Sequence, residues 1–213
     1  MGAVGTNEST MIFFDSSVEK YMVLLDGQRI ETTVTNKGEA AEEWVQLVSS
    51  THQGTQMVVG LDTEWTRDDK NKKKMKVAIL QLCVEDKCLI FQLAHMDYVP
   101  HSLRSFLIDS KFVGVGIMQD IKMLRNGYEL ECKTGIDVAT LANTQWPGRF
   151  SSKGLKYLAK ELVGLDMKKS KDVCTSEWKS KKLTNAQIEY ACIDAYASYM
   201  IGKKLLIQDE QSA

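Results

Sequence analysis

Met57 to Trp65 read MVVGLDTEW, an apolar run that closes on two acids one residue apart. Such a run, bounded by polar residues, predicts a buried strand over Met57 to Asp62. Side chains alternate across a strand, so Asp62 and Glu64 project to the same face from a rigid support. Two carboxylates held this close repel each other and are neutralised most simply by divalent cations with oxygen ligands. The D-x-E pattern alone is weak, because 28 acidic residues in 213 would yield roughly one by chance. Only one occurs, and it sits at the expected strand end, where a site belongs.

Working outward, YMVLL-DG-QRIETTVT (Tyr21 to Thr35) predicts a β-hairpin, since Asp26-Gly27 supplies the positive φ angles of a tight turn. Residues 38–49 read as a helix with Ala41, Trp44, Val45 and Val48 on one face. Beyond the first acids, strands over Lys76–Val84 and Lys87–Gln92 are joined at Glu85-Asp86. A helix near 102–109, a short strand at Phe112–Val115 and a helix from about Met118 follow. The remainder reads as mainly helical: Gly154 to Leu162, stopping at Gly164, and a long helix opened by the capping box Thr184-x-x-Gln187 and running to about Leu206. This order predicts an α/β domain with a mixed sheet. The expected division is an N-terminal tail over 1–20, one domain over 21–207 and a short tail over 208–213.

Three more residues carry chemistry. Asp120 follows a second buried strand in KFVGVGIMQD, at the entry to a helix, with Gly114 and Gly116 allowing close packing before it. The plain alternative is a helix-start aspartate serving the N-terminal dipole. Tyr190 and Asp194 lie four apart in QIEYACIDAYASYMI and share one helix face. A mid-helix aspartate among alanine, cysteine and isoleucine needs a partner if buried, whereas the alternative turns both residues to solvent. Together, two strand acids, a third at a helix start and a fourth on a late helix could close around two metal ions. Such pairs, about 3.5–4 Å apart, stabilise the attacking and leaving oxygens of phosphodiester hydrolysis.

The composition is that of a soluble globular chain, with 44% hydrophobic and 26% charged residues. A net charge of −1 excludes a long electrostatic footprint on nucleic acid and leaves only local patches. Two stretches offer one: residues 67–76 (RDDKNKKKMK), and Lys168, Lys169, Lys171, Lys179, Lys181 and Lys182 around Trp178. By position alone, each reads first as a solvated lysine-rich loop. Five cysteines without a C-x-x-C, several in apolar runs, imply a reducing compartment and no structural zinc. No membrane span or signal peptide is visible, and MGAVGT fits a myristoylation pattern at Gly2 or a plain disordered start.

The order D-x-E, D, Y-x-x-x-D resembles the tyrosine subclass of the DEDD superfamily of 3′-to-5′ exonucleases. VVGLDTEW, VAILQLCV, FVGVGIMQD, IDVATLA, GLKYLAKELVG and SEWKSKKLTNAQIEYACIDAYASYMI resemble its Werner-type and ribonuclease D branch over roughly residues 57–206. The resemblance implies a ribonuclease H-like (DnaQ-like exonuclease) fold with a mixed central sheet flanked by helices. It implies that Asp62, Glu64 and Asp194 bind one metal and Asp62 bridges to a second, which Asp120 supports. The ions implied are Mg2+, with Mn2+ as an alternative. Tyr190 would orient the attacking water, and Thr63 and Trp65 would border the terminal nucleotide. Met118-Gln119 stand where many relatives have glutamate and glycine, which alters the pocket for that nucleotide. IETTVTNKGEAAEEWV resembles the small plant relatives, including RISC-interacting clearing exoribonucleases. By that likeness the substrate is single-stranded RNA, the assembly a homo-hexamer and the partner an Argonaute complex; the expected location is the cytoplasm, with the nucleus as alternative. Werner-type DNA hydrolysis, or nucleic-acid binding without catalysis, are the competing readings.

Overall fold

The structure is a computed structural model that describes residues 11–15, 18–52, 56–67, 71, 74–168 and 170–212, with side chains within 19–207. Among the described residues, eight strands form one mixed sheet in the order β1-β2-β3-β6-β5-β4-β7-β8. They are β1 (Met11–Asp15), β2 (Val18–Leu25), β3 (Gln28–Thr35), β4 (Val58–Arg67), β5 (Met75–Val84), β6 (Lys87–Phe91), β7 (Lys111–Gly114) and β8 (Thr134–Asp137). The pairs β3–β6, β4–β7 and β7–β8 are parallel and the others antiparallel. The helices are α1 (Gly38–Ser50), α2 (His101–Asp109), α3 (Ile117–Tyr128), α4 (Val138–Gln145), α5 (Leu155–Val163), α6 (Lys171–Cys174) and α7 (Asn185–Ser212).

Two apolar cores sandwich the sheet. One gathers Trp44, Val48, Leu103, Phe106, Ile121 and Leu124 from α1, α2 and α3. The other gathers Leu158, Leu162, Ala191, Ala195 and Leu205 from α5 and α7 with hairpin residues Val23 and Ile30. The mixed α/β architecture therefore stands as expected. The hairpin turns at Asp26 (φ 49) and Gly27 (φ 79), both in the left-handed region that a tight two-residue turn requires. Gly164 (φ 75) ends α5, where a left-handed residue closes the last turn. The capping box is formed: the Thr184 N–H donates to Gln187 Oε1 at 2.9 Å, and the Gln187 N–H to Thr184 Oγ1 at 3.3 Å.

Several boundaries differ from expectation. β4 continues through the acids to Arg67, because Thr63, Trp65 and Thr66 are strand-favouring residues; Asp62 and Glu64 are therefore mid-strand. β8 and α4 were not expected: each is short, and β8 is half-buried throughout, so neither has a clear apolar period. β1, built on the strand-prone MIFF, falls within the expected tail and pairs with β2. α7 runs to Ser212 because Gln, Asp and Glu past Leu206 sustain a helix without an apolar face, and no Gly or Pro stops it. The Gly2 pattern, much of 67–76 and Lys169 lie outside the described residues. The five cysteines are free thiols, with Cys83, Cys88, Cys132 and Cys192 buried and Cys174 exposed. Among the described residues no helix is long and apolar enough to cross a membrane.

Candidate active site

The site forms where α7 crosses β4. A Cβ built on Gly60 would overlap the Ala195 carbonyl oxygen and lie 2.7 Å from the Tyr199 nitrogen, so glycine is what admits the helix. The residue before Ala195 is Asp194, and the close approach delivers it to the strand acids. Side-chain oxygens of Asp62, Glu64 and Asp194 all lie within 4.8 Å of one another. Asp194 is only 3% exposed, and the two strand acids are half-buried. Asp62 Oδ1 accepts from the Thr63 N–H at 3.0 Å, which fixes one of its oxygens. A β-bulge follows at once: Glu64 pairs with Ile79 and Trp65 with Val77, leaving Ala78 of β5 as the extra residue.

Asp120 occupies a different position. It stands outside the mutual 4.8 Å group, in the first turn of α3, with 6% exposure. The Thr63 hydroxyl donates to Asp120 Oδ1 at 2.5 Å, and the Trp65 indole N–H donates to Thr63 Oγ1 at 2.6 Å. Thr63 alternates with the acids along β4, so it points away from them and toward α3. Burial pushes the Asp120 carboxyl up to about 6, against the opposing pull of the Thr63 and Trp65 side chains. A solvated helix-start aspartate is thereby excluded. Thr63 and Trp65, expected beside the nucleotide, are committed first to holding Asp120.

Tyr190 lies one turn before Asp194 and is 9% exposed. Burial first, then the Asp194 carboxylate, a hydrogen bond with Cys174 and the charge of Glu64 raise its phenol far above the usual range. The hydroxyl is therefore protonated at neutral pH. Its ring packs on Trp178, with centroids 5.9 Å apart. Trp178 is core: it is 2% exposed, and its indole N–H donates to the Cys174 carbonyl at 3.1 Å. Gln187 Nε2 donates to Ser176 Oγ at 3.0 Å and to the Glu177 carbonyl at 3.2 Å, strapping this segment to the start of α7.

Two residues escaped the sequence reading. Cys174 helps to raise the Tyr190 phenol, and no pattern in the sequence announces that influence. Asp137 caps α4, accepting from the Thr140 N–H at 2.7 Å, and also accepts from the Gly116 N–H at 2.6 Å, steadying the entry to α3. Its capping role was legible in Asp137-x-x-Thr140 ahead of a helix.

A carboxylate trio of this kind is a hard-oxygen donor set that suits a divalent cation. The profile described as 3′-5′ exonuclease matches residues 32–208, most of the chain. The chain belongs to the 3′-5′ exonuclease family. It is 34% identical over 151 residues to the bifunctional 3′-5′ exonuclease/ATP-dependent helicase WRN of Mus musculus, covering 70% of this chain and 11% of that protein. It is also 34% identical over 151 residues to a 3′-5′ exonuclease of Arabidopsis thaliana, covering 69% of this chain and 52% of the relative. The chain thus spans about half, or far less, of these relatives' length. Among solved structures, Escherichia coli RNase D superposes with a TM-score of 0.69 at 21% identity, over 84% of this chain and 45% of that one. That likeness fixes the ribonuclease H-like exonuclease fold. In this exonuclease-family chain Asp62 and Glu64 stand on an interior strand, Asp194 on the helix that crosses it and Asp120 at the start of α3.

Proposed function

We propose that the protein is a divalent-metal-dependent 3′-to-5′ exonuclease of single-stranded nucleic acid, preferring RNA and releasing 5′-mononucleotides. The convergence of Asp62, Glu64 and Asp194 within 4.8 Å carries this reading. These three residues would hold Mg2+, or Mn2+ in its place, with Asp62 shared between two ions and Asp120 supporting the second through water. When bound, the ions neutralise the phosphodiester charge and sharpen a water as nucleophile. The neutral Tyr190 hydroxyl orients that water by hydrogen bonding, without taking its proton as a phenolate. Thr63 holds Asp120 in place, and Trp65 borders the terminal nucleotide.

RNA is favoured because IETTVTNKGEAAEEWV resembles the small plant exoribonucleases, and the same likeness supports a hexamer. End-labelled single strands of RNA and DNA, incubated with Mg2+ or Mn2+, test the activity. A ladder shortening from the 3′ end, faster on RNA and absent in EDTA or in Asp194→Asn, is expected. Full activity in EDTA, or cutting of circular strands, would remove the reading. Light scattering tests the assembly, since a mass near the 24.0 kDa of one chain would contradict the hexamer.

A further inference from the structure

Beside the acid cluster, on the α3 side, a chain of contacts leads away from the reacting centre. It begins at Asp120 and Thr63 and passes to Trp65, half-buried, whose indole is bonded to Thr63. Trp65 pairs across the ribbon with Val77, and the Tyr128 hydroxyl donates to the Val77 carbonyl at 2.7 Å. Tyr128 ends α3, the helix that Asp120 begins. Over its ring lies the Lys76 ammonium, 4.4 Å from the centroid. A Cβ built on Gly127 would stand 3.8 Å from the Lys76 Cγ, so the lysine stem lies along the last turn of α3.

We infer that Tyr128 and Lys76, leading on from Trp65, form a track for the nucleotides upstream of the cleaved 3′ end, with Lys76 as an ordered phosphate contact. This rests on the exonuclease reading above. From Asp120 to Tyr128 the helix advances about 12 Å. That is the span of roughly three to four stacked nucleotides at the single-strand repeat of a duplex. Lys76 therefore meets the backbone well upstream of the scissile bond. A lysine on a flexible stem ordinarily loses much rotamer freedom on gripping a phosphate. Here the aromatic ring already holds the ammonium. Lys74, exposed and just ahead of β5, extends the positive charge two residues further. In the other lysine-rich segment the tryptophan, Trp178, is in the core.

The test compares wild-type protein with Lys76→Glu, Lys76→Arg and, as a distant charge reversal, Lys160→Glu on α5. The quantity read is the preference for a 20-nucleotide strand over a dinucleotide, as the ratio of the two kcat/KM values. Lys76→Glu should lower this ratio about ten-fold, Lys76→Arg should largely preserve it, and Lys160→Glu should change it less than two-fold. Binding of a fluorescent 20-mer, followed by anisotropy in EDTA, should weaken about ten-fold in Lys76→Glu. The slope of log K against log salt should become shallower by about one. An unchanged ratio with unchanged binding overturns the track. A fall as large in Lys160→Glu also overturns it, because the effect is then one of net charge. A wild-type protein that hydrolyses neither substrate defeats the exonuclease reading instead, and the anisotropy arm then decides the track alone.

Discussion

Tyr190 is kept neutral by burial and by the carboxylates around it, and this fixes what it can do. A phenol that does not ionise near pH 7 can donate and accept hydrogen bonds but contributes no base. Tyr190→Phe should therefore lower kcat by roughly 10²-fold or more and leave KM within a few-fold. A pre-steady-state single-turnover assay separates the two; weakened binding with an unchanged chemical step would reassign the residue. Burial penalises the charged form of Asp120 in the same way, but in a group whose ordinary range lies below neutral pH. Its carboxyl titrates at about 6 in the fold and near 3.9 when unfolded. Between those values the folded chain holds the extra proton, so stability falls as pH rises from about 4 to 6 and stays lowered above. The loss is on the order of 2–3 kcal/mol. In EDTA, Asp120→Asn should melt about 5 °C higher than wild type at pH 8, with the gain disappearing toward pH 4. A gain independent of pH would mean that another group titrates. Chemistry of this kind was partly legible: four acids and a tyrosine could be picked from their spacing. The Thr63 bond that anchors Asp120 could not, because it joins residues 57 apart in sequence.

Among the elements, local signals were reliable where backbone chemistry is local. Asp26-Gly27 fixed the hairpin, and Thr184 with Gln187 fixed the start of α7, since each is a contact within four residues. The extent of β4 was misjudged because the apolar run ended before the strand did. The approach of α7 to β4 depends on a glycine, and glycine in a strand announces a close neighbour without naming it. Gly60→Ala tests what that approach does. The added methyl meets backbone atoms of Ala195 and Tyr199, which cannot rotate away. The helix must shift, at a cost of roughly 2–3 kcal/mol. Asp194 would move with it, away from Asp62 and Glu64. The variant should therefore melt several degrees lower and lose most Mn2+ affinity and hydrolysis, although Gly60 carries no chemical group. Calorimetric titration with Mn2+ alongside thermal melts checks both, and wild-type affinity in a folded variant would show that the cluster tolerates the shift.

At the scale of the whole molecule, the N-terminal hairpin is the part whose purpose the sequence left most open. It could be read as an appendage for assembly, or as an extension of the molecule's own sheet. Within one chain it extends the sheet, since β3 pairs in parallel with β6, and β2 with β3. Tyr21, Val23, Leu25, Ile30 and Val34 are buried in the core shared with α5 and α7. Most of this segment precedes residue 32, where the family match begins, so the family pattern gave no guide to it. Fully burying five such side chains contributes roughly 8–15 kcal/mol, comparable with the whole stability of a domain, about 5–15 kcal/mol. Removing residues 1–36 would also strip β6 of its parallel partner and leave Lys87–Phe91 as a bare apolar edge. The shortened chain should accumulate as aggregate, and any soluble fraction should lack a cooperative thermal transition by circular dichroism. A soluble, monomeric and active product would return the hairpin to the role of an assembly device.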